Sequence, residues 1–171
     1  LLAQPLCAES HQARAEAPPR PARAAPAKPA PVPSTRAESI VAAGARFDLV
    51  TIDPRRATLR LYWRDGEGRP FGDFAALQAH LRARGEELVA ATNAGIYEPG
   101  QIPTGVHIER GRVLQPLNLR EGAGNFYLRP NGVFYLDGAG PHIVESSRFP
   151  RARGVREATQ SGPLLLDEGR P

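Results

Sequence analysis

The chain has 171 residues, a formal net charge of +4 and one cysteine. That length supports one domain with a core and an appendage, not two ordinary domains. The 22 basic and 18 acidic residues form no dense basic block, which argues against a nucleic-acid footprint, and the lone Cys7 excludes an intrachain disulfide.

In chain order, Leu1–Ala8 reads as the tail of a signal-peptide apolar region with a cleavage point after Ala8, or as a chance apolar start. On the first reading the protein is exported, to the periplasm or beyond. Residues 9–39 are rich in Ala and Pro, with Pro18, Pro19, Pro21, Pro26, Pro29, Pro31 and Pro33 close together. Proline at that density enters neither a helix nor a central strand, so the segment is expected to be a disordered, partly polyproline-II linker. A proline-motif ligand is the sharper alternative. No apolar run reaches the roughly 20 residues of a membrane span.

Globular patterning begins at residue 40 and is expected to continue to 171. Phe47–Ile52 is a β-rich run ended by Asp53-Pro54, and Leu59, Leu61 and Trp63 alternate with polar neighbours as in a half-buried strand. Asp73 can cap a helix running to about Arg84, with Phe74, Leu77 and Leu81 on its apolar stripe and Gly85 as its stop. Glu87–Thr92 predicts a buried strand. Val106–Glu109 and Arg112–Leu114 flank an Arg110-Gly111 turn, and Asn125–Leu128 and Val133–Leu136 flank Pro130-Asn131-Gly132, a hairpin pattern. Further strands are expected at 141–145 and through Leu164–Leu166. The fold class is therefore α+β: short strands and hairpins in a mixed sheet with one clear amphipathic helix. The final strand has nothing after it to cover it, and the domain is expected to be truncated at its C-terminus.

Standard catalytic patterns fail residue by residue. A nucleophile elbow at Ser161 would need glycine at 159 and 163, where Thr159 and Pro163 stand. Gly122-Ala123-Gly124 lacks the third glycine of a dinucleotide loop, because position 127 is Tyr127. Lys28 is the only lysine, so no phosphate-binding loop of the Walker type exists. His11, His80, His107 and His142 make no short zinc pattern, and His107 and His142 sit on strand patterns as structural residues. No metal and no cofactor is expected.

What remains is a set of loops rich in glycine and amides: Thr92–Glu98, Pro103–Val106, Leu117-Asn118, Gly124-Asn125 and Gln160–Pro163. Amides donate and accept together, which suits sugar hydroxyls, and glycine lets backbone N–H groups approach a phosphate. The same residues could equally do no more than shape turns.

Asn93-Ala94-Gly95-Ile96-Tyr97, Pro103-Thr104-Gly105, Pro116-Leu117-Asn118, Gly124-Asn125-Phe126-Tyr127, Pro130-Asn131-Gly132-Val133-Phe134 and Gln160-Ser161-Gly162-Pro163-Leu164-Leu165 follow one another in the order and spacing of a known family. From about Phe47 to Gly169 the chain resembles the phosphodiester glycosidase family, in its bacterial, periplasmic branch. The resemblance implies hydrolysis of a sugar-1-phosphodiester by the full-length protein, with a phosphorylated carbohydrate or glycoconjugate as substrate. It implies a site with Glu98 and Ser161 in catalytic roles and Asn93, Gly95, Tyr97, Gly105, Asn125, Gln160 and Gly162 binding substrate. Asn93 and Gln160 would hold hydroxyls or a phosphoryl oxygen. Glycosidic cleavage usually needs two carboxyl groups; Glu98 is the first candidate and Asp167 the second. The family's later arginine and aspartate blocks do not occur in these residues. A non-catalytic module that binds envelope glycans or glycophosphates needs the same amide loops without those blocks.

Overall fold

The computed structural model describes residues 35–150 and 153–170. The expected signal-peptide remnant and linker through residue 34 lie outside the described residues.

The centre of the fold is a five-stranded sheet. Its strands are β5 (His107–Glu109), β6 (Arg112–Gln115), β7 (Gly132–Leu136), β8 (Pro141–Glu145) and β9 (Glu157–Ser161), in the order β6-β5-β9-β7-β8. Every pairing described is antiparallel, where a mixed sheet was expected. The cause is local: a parallel pair needs a strand–helix–strand crossover, and the strand expected after the helix does not form. One side of the sheet packs Val106, Ile108, Val133, Tyr135, Phe149, Val155 and Ala158 into a single buried cluster. The β9 residues Glu157–Gln160 are all buried, because β9 lies between two other strands.

The helix α1 (Phe74–Arg82) forms as its sequence dictates. Asp73 stands in extended conformation and its carboxylate accepts the Ala76 N–H at 2.8 Å, while Leu77 and Leu81 are buried. The carboxyl end turns through Gly85 at φ +73°.

A hairpin of β1 (Thr35–Ala42) and β2 (Ala45–Ile52) precedes these elements. It begins five residues before the boundary expected at 40, inside the stretch assigned to the linker. Ala43 and Gly44 both have positive φ, the geometry of a tight hairpin turn. Both strands are exposed along almost their whole length. A shorter hairpin joins β3 (Tyr97–Glu98) to β4 (Ile102–Pro103), turning through Gly100 and Gln101, both at positive φ.

Four expected strands are absent. Residues 59–64 are half-buried as their alternation requires, but they pair with no strand beyond one Arg64–Pro70 bridge. Their N–H groups go to side chains instead: Leu61 N–H donates to Glu157 at 3.1 Å and Trp63 N–H to Glu109 at 2.6 Å. Residues 87–92 are extended, unpaired and mostly exposed, with Val89 62 % accessible, so the apolar run there is not a buried strand. Asn125–Tyr127 is a 3-10 turn. The expected hairpin across Asn131-Gly132 does not form because Asn131 is wholly buried and its amide is used inside the protein. Leu164–Leu166 forms no strand, and Asp167 and Arg170 bridge across a tight turn after it.

The carboxylates that receive residues 61–63 carry a pH dependence. Burial pushes the Glu157 carboxyl above the ordinary glutamate value, and the neighbouring Glu109 adds to this, while N–H groups of Leu61 and Arg110 pull the other way. The folded protein therefore keeps a proton that the unfolded chain releases. Stability is expected to fall as pH rises from the ordinary glutamate value through the raised one. Glu157→Gln should flatten that part of the profile, as read by thermal midpoints from acid to neutral pH. An unchanged slope would mean that Glu157 is not its source.

Candidate functional site

The β3 strand and the loop before β7 face each other across a groove of about 400 Å³. One wall is Ile96, Tyr97 and Glu98, and the other is Ala123–Tyr127. Of the residues expected to act, the groove brings together Tyr97, Glu98 and Asn125. Tyr97 is 59 % exposed. The Glu98 carboxylate is also exposed and is steadied by the Thr104 hydroxyl, which donates to it at 3.3 Å. Thr104 is itself fixed by its N–H bond to the Ile96 carbonyl at 3.0 Å. Tyr127 completes the aromatic lining. It had no place among the expected residues, although it closes the Gly124–Tyr127 block.

The other expected residues lie beneath the groove or beside it. Gln160 is 1 % exposed. Its Oε1 accepts the N–H groups of Val106 at 3.1 Å and Asn118 at 3.0 Å. Its Nε2 donates to the Asn118 carbonyl at 2.7 Å, the Ser146 hydroxyl at 3.2 Å and Asn131 Oδ1 at 3.4 Å. A glutamine amide has two acceptor positions and two donors. All are taken within the protein, so Gln160 has nothing left for a sugar hydroxyl or a phosphoryl oxygen.

The glycines serve the same centre. A Cβ on Gly105 would lie 2.5–2.8 Å from the Gln160 side chain, and one on Gly95 would lie 2.6 Å from the Gln160 carbonyl. A Cβ on Gly162 would meet the carbonyls of Phe126 at 2.6 Å and Asn125 at 2.8 Å. These glycines let protein backbone approach protein backbone. Gly162 in particular seats the groove's second wall on the end of β9. Ser161 stands there too, half-buried and opposite Gly132. Asn93 is exposed and outside the groove lining.

Asn118, Asn131 and Ser146, which complete the polar centre, carried no role in the sequence reading. Asn118 and Asn131 were visible as members of motif blocks, but Ser146 had no signal at all. Asp167 is held with Glu168 by the Arg148 guanidinium. Among the described residues Glu98 is thus the one acidic side chain in the groove lining. Among the described residues no three His, Cys, Asp or Glu side chains are grouped to hold a metal ion.

The sequence profile of the phosphodiester glycosidase family matches residues 86–171, half of the chain, and takes in both groove walls and the Gln160 centre. The chain belongs to the phosphodiester glycosidase family. It is also similar to an uncharacterized protein of Escherichia coli strain K12, YigE, with 37 % identity over 119 residues. That alignment covers 70 % of this chain and 46 % of YigE, so the chain spans less than half the length of that curated relative. No solved structure matches significantly. No helix among the described residues is long and apolar enough to cross a membrane.

Proposed function

We propose that the full-length protein hydrolyses a sugar-1-phosphodiester, with the groove between Tyr97 and Tyr127 receiving the sugar. The observation that carries this reading is Glu98, an oriented carboxylate in an aromatic and amide-lined groove of a phosphodiester glycosidase family member. Aromatic faces suit the apolar face of a pyranose, and the Asn125 amide can both donate to and accept from its hydroxyls. Glu98 serves as the acid or base at the glycosidic oxygen. Ser161, half-buried at the end of β9, stays a candidate for the reacting end of the site. Gln160, Gly95, Gly105 and Gly162 act by positioning. The chemistry takes place outside the cytoplasm, a reading supported by the apolar Leu1–Ala8 stretch and the proline-rich linker.

A second reading has one observation in its favour. Among the described residues Glu98 has no second carboxylate beside it in the groove lining, as in a module that binds glycophosphates without cleaving them. One experiment separates the two. The full-length protein is assayed on a panel of sugar-1-phosphodiesters, beside Glu98→Gln. Glu98 is exposed and the hydrogen bond described for its carboxylate is the one from Thr104, so the variant should keep its thermal midpoint while kcat falls about 100-fold, the lower range for a lost acid–base group. Glycophosphate binding without turnover would decide for the module, and undiminished turnover in Glu98→Gln would remove Glu98 from the mechanism.

A further inference from the structure

The second wall of the groove belongs to a loop with a distinctive construction. It leaves the buried centre at Asn118 and returns to it at Asn131. Both feet stand on Gln160: Asn118 through its N–H and carbonyl, and Asn131 through its Oδ1. The Asn118 side chain bonds outward to the Thr104 carbonyl at 2.9 Å and receives the Arg120 N–H at 3.1 Å. The Asn131 amide donates to the Phe126 carbonyl at 3.0 Å. Between the feet the loop folds on itself. Gly122 lies so close to Tyr127 that a Cβ there would be 2.8 Å from the ring.

One exposed side chain ties the neck of this loop. Arg129 Nη2 donates to the carbonyls of Leu119 and Arg120, both at 2.8 Å, across ten and nine residues. The groove wall Ala123–Tyr127 lies wholly inside the closed span. Arg129 is outside the groove lining and touches none of its residues through a hydrogen bond. Surface loops of this kind open locally at free energies well below global unfolding. A cation bonded to two main-chain carbonyls across the neck of the loop therefore acts on the loop's opening and not on the sheet.

We infer that Arg129 is a positioning residue for the sugar site, fastening the Leu119–Leu128 loop so that Tyr127 and Asn125 face Tyr97 and Glu98 at a fixed groove width. This rests on the reading of the groove as the sugar site. Both bonds leave one nitrogen, Nη2, whose two N–H directions are held in the guanidinium plane; a lysine ammonium, on a shorter and freely rotating stem, has no such fixed pair, so Arg129→Lys should restore only part of the effect.

The test compares full-length wild type, Arg129→Ala and Arg129→Lys by two independent readouts. Steady-state hydrolysis of a sugar-1-phosphodiester should show KM raised about tenfold in Arg129→Ala, with kcat within about twofold and with an intermediate KM in Arg129→Lys. Limited proteolysis under native conditions should show cleavage inside 119–128 about tenfold faster in Arg129→Ala, with an unchanged thermal midpoint. Unchanged KM and unchanged cleavage would overturn the inference. So would a lowered thermal midpoint with cleavage spread over the whole chain, since that describes a general stabilising contact. If wild type hydrolyses nothing on the panel, the reading of the groove fails, and the cleavage rates still decide the clamp.

Discussion

Gln160→Leu in the full-length protein should lower the unfolding free energy by about 3–5 kcal/mol, a loss at the far end of the single-substitution range. Leucine fills a similar volume, so the loss comes from polar groups left behind. The N–H groups of Val106 and Asn118 and the carbonyl of Asn118 would each lose a buried partner. An orphaned buried group costs about 1–3 kcal/mol. Gln160→Glu keeps the shape and the acceptor, yet turns lone pairs toward the Asn118 carbonyl and buries a charge with no cation hydrogen-bonded to it. It should be at least as damaging. Urea midpoints of the three proteins measure this. A change below about 1 kcal/mol in both variants would show that the centre repacks or admits water.

Gly95→Ala is the second large effect, at about 3 kcal/mol, the upper range for overpacking. The added methyl would sit 2.6 Å from both the Gln160 carbonyl and the Thr159 hydroxyl. The hydroxyl can rotate away; the carbonyl belongs to the sheet's central strand and cannot. Relief must come from the Asn93–Tyr97 segment, which carries Tyr97 and leads into Glu98. Gly95→Ala should therefore damage stability and substrate affinity together, while Gly138→Ala, with open space around the same methyl, should change neither. Equal midpoints for the two variants would show that the segment is free to shift.

Several elements were legible in the sequence because local chemistry determines them. Asp73, the Leu77–Leu81 stripe and Gly85 specified the helix, and the strands at 107–109, 112–115, 132–136 and 141–145 stand where their patterns placed them. Residues 59–64 and 87–92 were read wrongly for different reasons. At 87–92 the apolar run is mostly exposed, so composition there did not report burial; at 59–64 alternation reported the half-burial of the side chains, but not what receives the main-chain N–H groups. At Leu61 and Trp63 the acceptors are glutamates 96 and 46 residues away. Asn131-Gly132 misled in a related way, since its amide faces the interior and not a turn.

The site shows the same division. Motif order marked Asn93, Gly95, Tyr97, Glu98, Gly105, Asn125, Gln160, Ser161 and Gly162 as one constellation; the structure sets Tyr97, Glu98 and Asn125 in one groove, packs Gly95, Gly105 and Gly162 against neighbouring protein atoms, and leaves Asn93 exposed outside the lining. Their division of labour was not legible. A buried glutamine and a solvent-facing one are the same letter, and only the partners of Gln160 show that it serves the fold.

The position of β9 also governs the order of assembly. It is the middle strand of the sheet, yet the last in order among the described strands. The β5–β6 and β7–β8 hairpins join residues close in sequence and can form early. They cannot become one sheet until β9 arrives to lie between them, bringing Gln160 to partners 14 to 54 residues upstream. Long-range pairing of this kind slows folding. During synthesis the groove walls, and the Glu98 carboxylate with them, must wait unanchored until the Gln-Ser-Gly-Pro segment has emerged.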